Sequence, residues 1–376
     1  MTTAFCRHCG STHPGEVKRC PRTQQLMTEA GLCGTQVDRY VVERLLGTGA
    51  FGSVYKAHHS RTKAEVAFKV LRPELMTNAT ILERFLREAT TAASVGSEHV
   101  VRVVDAEITA EKIAFIAMEY VDGEDLKSVF LREGKLHPTR AIGLTMQLLR
   151  GLAAAHDKGI VHRDIKPANV LVTRKRNVHG REEELVKILD FGISKVAGAA
   201  PLTAAGVTIG TPTYMAWEQF SDSRSVDART DLYAVAAILH ELLSGQKPYD
   251  AEDIPSLMNK VRIRDRLKLR DLMPSLPMPL CGAVEKGLEK HQSGRWQSAR
   301  EFLNALEQTL NVLDPAPPLA PRLPALISEP GTEKGEKALG DSQRDVGTRI
   351  REPEAKDLKD TRASAASQMA ETEKGS

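Results

Sequence analysis

Between residues 37 and 311, apolar runs alternate with polar turn signals, and the spacing of the apolar positions changes along the stretch. Residues 40–46 are rich in Val and Leu and stop at glycines. Residues 52–57 and 65–71 read as further strands, with a polar turn at 60–63 between them. Residues 81–93 switch to helical spacing: Ile81, Phe85 and Ala89 fall in one row, Leu82 and Leu86 beside it. Strands are predicted again over 100–107 and 113–120. From Leu126 onward helix-period residues dominate, most clearly over 141–156, 231–244 and 299–313. This order predicts an α+β domain with a small β-rich lobe, a larger helical lobe and a cleft between them.

The flanks differ in character. Residues 1–36 are rich in Cys, His and Gly and poor in large apolar residues, and residues 312–376 contain no aromatic residue. The latter stretch opens with Asp314-Pro315-Ala316-Pro317-Pro318 and carries Pro321, Pro324 and Pro330 among mixed charges. Without aromatics or dense apolar periodicity it has too little surface to bury against chain entropy, so a disordered tail is expected.

Composition narrows the function classes. The chain has 376 residues, 52 Lys+Arg against 49 Asp+Glu, and a net charge of +3. Near-neutrality argues against a nucleic-acid binder whose affinity rests on phosphate neutralisation. No run of 18 apolar residues predicts a membrane span, and residues 1–9 lack the apolar core of a secretory signal. A cytoplasmic protein with reduced thiols is therefore expected.

Four of the five cysteines (Cys6, Cys9, Cys20, Cys33) cluster near the start, and Cys281 stands alone. Clustering in a reducing compartment favours a metal over disulfides. Cys6-Arg7-His8-Cys9-Gly10 looks like a zinc knuckle that Cys20 and Cys33 would complete as a tetrahedral Zn²⁺ site, with His8 and His13 as alternative ligands. The spacing from Cys20 to Cys33 is long for a zinc ribbon, and a disordered leader with free thiols is the alternative. A folded knuckle, or the tail, would serve protein docking or regulation. Cys281 reads as a buried structural thiol.

Chemistry-bearing residues begin with Gly47-Thr48-Gly49-Ala50-Phe51-Gly52-Ser53-Val54. Glycines at these offsets let backbone N–H groups approach phosphate oxygens, although a plain glycine-rich hairpin turn fits as well. A strand rather than a helix follows, which does not suit a dinucleotide-binding turn. Lys69 then lies on a strand among apolar neighbours, and Glu88 on the following helix is its natural partner. The densest cluster is His162-Arg163-Asp164-Ile165-Lys166-Pro167-Ala168-Asn169, between apolar pieces, where burial would be costly without ligands or partners. Asp190-Phe191-Gly192 follows another apolar run. Asp190 and Asn169 supply hard oxygen donors that suit Mg²⁺.

Taken in order, these motifs resemble the eukaryotic-like (Hanks-type) serine/threonine protein kinases of bacteria, over about residues 40–310. The resemblance implies a bilobal kinase fold and Mg²⁺- and ATP-dependent transfer of phosphate to Ser/Thr hydroxyls of protein substrates, with autophosphorylation. It places Gly47, Gly49 and Gly52 over the ATP phosphates, Val54 and Ala67 on the adenine, and Lys69 on the α- and β-phosphates, fixed by Glu88. Met118 would stand at the back of the adenine pocket, with Glu119 to Val121 as the hinge. Asp164 would accept the substrate proton, Lys166 would neutralise the transferring phosphoryl, and Asn169 and Asp190 would hold Mg²⁺.

The resemblance also makes Thr203 or Thr208 the activation-segment phosphoacceptor opposite Arg163, and puts Thr211 beside Asp164 and Lys166. Two departures stand out. Ala216-Trp217-Glu218 replaces the family's Ala-Pro-Glu, with Arg295 expected to pair with Glu218, and Ala234 to Ala237 lacks a usual glycine. Neither touches the ATP or metal groups, so activity is expected, with peptide docking or loop order the property at risk. A pseudokinase or nucleotide-responsive scaffold is the alternative, one that loss of Lys69, Asp164 or Asp190 would have favoured. The domain plan is thus 1–36 Cys-rich, 37–311 kinase-like, and 312–376 tail.

Overall fold

The computed structural model describes residues 3–6, 11–14, 21–22, 31–177, 180–191, 213–251, 253–263, 265–311 and 313. Two short strands, β1 (Thr3–Cys6) and β2 (Ser11–Pro14), pair antiparallel. The small lobe then runs β3 (Gln36–Val37), β4 (Tyr40–Thr48), β5 (Gly52–His59), β6 (Glu65–Leu71), α1 (Ala79–Val95), β7 (Val103–Ile108) and β8 (Ala114–Glu119). Its sheet has the order β3-β4-β5-β6-β8-β7, all antiparallel.

Strand alternation sorts the side chains of β6 onto two faces. Val66, Phe68 and Val70 join Tyr40, Tyr55 and Phe115 in one core, where Phe68 stacks on Phe115 at 4.7 Å. Ala67 and Leu71 face the other way, onto α1, and Lys69 shares that face. Helix α1 starts where the Asn78 side chain accepts from the Ile81 N–H and stops at Gly96, which takes a left-handed φ of 64°. Its buried row is Phe85, Glu88 and Ala89, so the same stripe that packs on the sheet carries the glutamate toward Lys69.

The large lobe follows as β9 (Gly123–Asp125), α2 (Leu126–Glu133), α3 (Pro138–His156), β10 (Val170–Arg176), β11 (Glu182–Ile188), α4 (Trp217–Ser221), α5 (Ala228–Ser244), α6 (Ile254–Ile263), α7 (Leu269–Leu272), α8 (Met278–Gly287) and α9 (Ala299–Leu310). Helix α5 is buried along nearly its whole length and packs against α3 and α8. It forms the centre of a core that also takes in Phe302 and Leu306 of α9. Cys281 lies buried in that core, as its isolation in the sequence suggested.

Three stretches differ from the sequence expectation. The strand expected over 100–107 starts only at Val103, because residues 99–101 are engaged elsewhere. The Ile188 N–H donates to the His99 carbonyl and the Val101 N–H to the Ile188 carbonyl, at 2.8 and 3.0 Å. The hairpin β10–β11 extends through polar residues that oppose each other by charge: Arg174 faces Glu184, Lys175 faces Glu183 and Arg176 faces Glu182. Its charged pairs hide the apolar period that would have marked a strand.

At the end of the Cys-rich segment, Cys33 and Val37 are each only 4% exposed and belong to the small-lobe core. Gly31 has φ 51°, and a Cβ there would meet the Tyr55 hydroxyl at 2.0 Å. This stretch is therefore built onto the sheet. Among the described residues no group of three or more His, Cys, Asp or Glu could hold a metal ion, so the expected Zn²⁺ site finds no support. Cys9, Cys20 and the side chain of Cys6 lie outside the described residues, and so does the expected tail apart from Leu313.

Candidate active site

The glycine-rich turn joins β4 to β5. Gly52 is forced by packing: a Cβ there would lie 2.0 Å from the Val70 carbonyl oxygen. Gly47 and Gly49 have no such neighbour, and the Gly49 N–H donates to the Gly52 carbonyl at 2.8 Å. Val54 lies opposite Lys69 in the β5–β6 ladder, and Ala67 lies opposite Met118 in the β6–β8 ladder. Ala67, Met118 and Val121 share the cluster on the α1 side of the sheet. Glu119 uses its own N–H on the Arg102 carbonyl, and its carboxylate takes the Arg102 N–H at 3.0 Å and Lys187 Nζ at 2.5 Å.

Lys69 is where the two lobes meet. Its Nζ donates to Glu88 Oε1 at 3.1 Å and to Asp190 Oδ1 at 2.8 Å. Burial alone would disfavour this ammonium, but Asp190 and Glu88 outweigh it and raise its pKa. Burial pushes the Glu88 carboxyl up, to about 8, against the pull of Lys69. Burial also works against the Asp190 charge, yet Lys69 holds that carboxyl below its ordinary value. Glu88 Oε2 is buried without a hydrogen-bond partner among the described residues.

The catalytic-loop candidates hang from a single buried acid on α5. Asp231, 1% exposed, accepts the backbone N–H groups of His162 and Arg163 at 2.8 Å each, and His156 Nε2 at 2.9 Å. Arg163 can thereby hold a positive φ of 66°, and Asp190 has 49°; strained backbone of this kind persists only where its surroundings fix it. His162 Nε2 donates to the Leu189 carbonyl at 2.7 Å while Nδ1 accepts the Asp164 N–H at 3.2 Å. That pair of bonds fits one neutral tautomer, and the ring lies against Phe191.

Asp164 Oδ2 receives Lys166 Nζ at 2.7 Å and Asn169 Nδ2 at 3.1 Å. The Asn169 carbonyl accepts the Leu189 N–H at 2.9 Å, which sets Asn169 beside Asp190. Asn169 spends its amide N–H groups on Asp164, so its side-chain oxygen remains for another ligand. With the Asp190 carboxylate it makes a hard-oxygen donor set that fits Mg²⁺.

Farther out, Arg295 forks onto Glu218 at 2.6 and 2.9 Å, a buried bidentate pair. The family-like partnership thus survives the change at Trp217, whose ring is half-buried with Lys290 Nζ 5.0 Å from its centroid. Thr203, Thr208 and Thr211 lie outside the described residues. Sequence reasoning did not assign roles to Asp231, His156 or Lys187. The sequence offers only a partial signal: Asp231 stands in the first turn of α5, directly before its apolar run 232–239.

Comparison with known proteins agrees with this geometry. The family profile described as protein kinase domain matches residues 40–309. The serine/threonine-protein kinase PknH of Mycobacterium bovis is 34% identical over 279 residues, covering 74% of this chain and 45% of that protein. The serine/threonine-protein kinase pkn3 of Myxococcus xanthus is 34% identical over 295 residues, covering 74% and 52%. The chain therefore spans about half the length of these curated relatives. Among solved structures, the PknI kinase domain of Mycobacterium tuberculosis superposes with a TM-score of 0.57 at 29% identity, over 74% of this chain and 98% of that one.

Proposed function

The chain belongs to the protein kinase domain family, and from that premise we propose that it is an ATP- and Mg²⁺-dependent serine/threonine protein kinase. The observation that carries this reading is the convergence on one cleft of Lys69, Glu88 and Asp190 with Asp164, Lys166 and Asn169. Lys69, released from Asp190, is poised to grip the α- and β-phosphates while Glu88 steadies its ammonium. Asp164 faces the cleft as a carboxylate whose Oδ2 is oriented by Lys166 and Asn169, and it takes the proton of a Ser or Thr hydroxyl as that oxygen attacks. Lys166 offsets the charge that develops on the transferring phosphoryl. Mg²⁺, held by Asn169 and Asp190, would neutralise phosphate charge when bound.

Residues 37–311 are the catalytic unit on this reading, acting on protein substrates in the cytoplasm. No helix among the described residues is long and apolar enough to cross a membrane. Arg163 is the receptor for a phosphate on Thr203 or Thr208, because no carboxylate among the described residues pairs with its guanidinium and a charge-assisted bond would order the segment. A scaffold without catalysis is disfavoured by the presence of every group that phosphoryl transfer needs.

The test is a labelled-ATP assay of the wild type and Asp164→Asn. The wild type is expected to label itself or a generic protein substrate, and the variant to lose about 10²–10⁴-fold in rate. Equal labelling of the two would remove Asp164 from the mechanism.

A further inference from the structure

The turn that is to cradle phosphates contains Gly47, Gly49 and Gly52, and glycines lose more conformational freedom on ordering than any other residue. Such a turn gains from something that holds it. Arg72, directly after β6, makes two bonds to it. Its guanidinium donates to the Gly49 carbonyl at 2.8 Å, and its backbone N–H donates to the Phe51 carbonyl at 2.9 Å. Among the described residues no other side chain donates to the turn. The Phe51 ring packs against the cluster of Leu71, Phe85 and Ile116, so the tip is held from beneath by packing and along its rim by Arg72.

Arg72 is exposed and has no carboxylate partner among the described residues, which leaves its charge uncancelled at the turn. It directly follows the last residue of β6, the strand that carries Lys69, so the end of that strand sets where its backbone meets the turn.

We infer that Arg72 is a positioning residue for the nucleotide's phosphates: it clasps the turn over residues 49–52 in the form that receives them. This rests on the kinase reading above. A clasp of the phosphate-binding turn acts on ligands that carry phosphates and not on the adenosine part, which sits against Ala67, Met118 and the hinge on that reading. The sequence motif does not assign Arg72, because the contact depends on the strand bringing a side chain back over a turn formed some twenty residues earlier.

Calorimetry with MgATP and with adenosine on the full chain separates the possibilities, using wild type, Arg72→Met and Arg72→Lys. Arg72→Met is expected to bind MgATP about tenfold more weakly, the loss of one charge-assisted bond. Adenosine affinity should stay within about twofold. Arg72→Lys, which keeps a cationic donor, should recover most of the loss. In the labelled-ATP assay the Met variant should show a raised KM for ATP with kcat little changed. Unchanged MgATP affinity in Arg72→Met overturns the inference. So does an equal loss for adenosine, which would indicate a general effect on the lobe, and so does a Lys variant as weak as the Met variant. Failure of the wild type to bind MgATP at all would instead overturn the kinase reading.

Discussion

Gly52 and Gly47 belong to the same turn but answer to different constraints. A methyl on Gly52 would meet the Val70 backbone oxygen at 2.0 Å, and a strand backbone cannot give way cheaply, whereas nothing lies within 4 Å of a Cβ at Gly47. Gly52→Ala is therefore expected to cost about 1–3 kcal/mol of stability and Gly47→Ala less than about 0.5 kcal/mol. Urea unfolding of both variants checks this, and equal costs would contradict the packing argument. At this scale the chemistry was largely legible. Lys69 and the cluster from His162 to Asn169 stand out as polar groups beside apolar sequence, and such groups need partners. Glu88 by itself reads as an exposed helix charge and is singled out only by its place in the ordered motifs. Asp231 did not stand out, because its partners are backbone N–H groups of His162 and Arg163, and backbone groups leave no trace in residue identity. Arg72 was equally silent, since it binds a glycine carbonyl.

Helix α4 has five residues, too short to be stable alone, so its position depends on what grips it. The grip is Glu218, whose carboxylate takes both arms of Arg295 and the Thr230 hydroxyl. Arg295 stacks its guanidinium on Tyr233 and donates further to the carbonyls of Glu289 and Lys290. Glu218→Ala would strand a buried cation and should cost about 3–5 kcal/mol. The double variant with Arg295→Ala should cost clearly less than the sum of the two single changes. An additive cycle in chemical denaturation would show that the pair is not coupled.

Trp217, beside this pair, is compatible with the first turn of α4 and gains a cation contact from Lys290. The departure from the family's proline therefore leaves the anchor of the segment in place. Strands and helices with a clean period, such as β6 and α3, were readable from the sequence alone. The hairpin β10–β11 and the stretch at 99–102 were not. Cross-strand charge pairs and carbonyl partners supplied by another lobe decide those elements.

At the scale of the two lobes, Lys69 of the small-lobe sheet reaches Asp190, two residues past β11, so an ion pair bridges the cleft. A nucleotide that takes over Lys69 must hold the lobes together in its place. MgATP at about a hundredfold over its Kd should add about 2.7 kcal/mol to the folded state, seen as a rise of several degrees in Tm. Lys69→Met should abolish that rise while remaining folded, and a variant shifted as far as the wild type would remove Lys69 from the site. The sequence by itself determined which residues are candidates for the chemistry, through the order of their motifs, and which lobe is strand-rich and which helical. Those follow from residue type, motif order and the period of apolar positions, which can all be read along the chain. Only the tertiary structure decided that Asp231 holds the backbone of His162 and Arg163, that Arg72 bonds the glycine turn and that residues 31–37 complete the small-lobe core. Each of these contacts joins parts of the chain far apart in order, through backbone atoms or packed surfaces whose meeting no local pattern encodes.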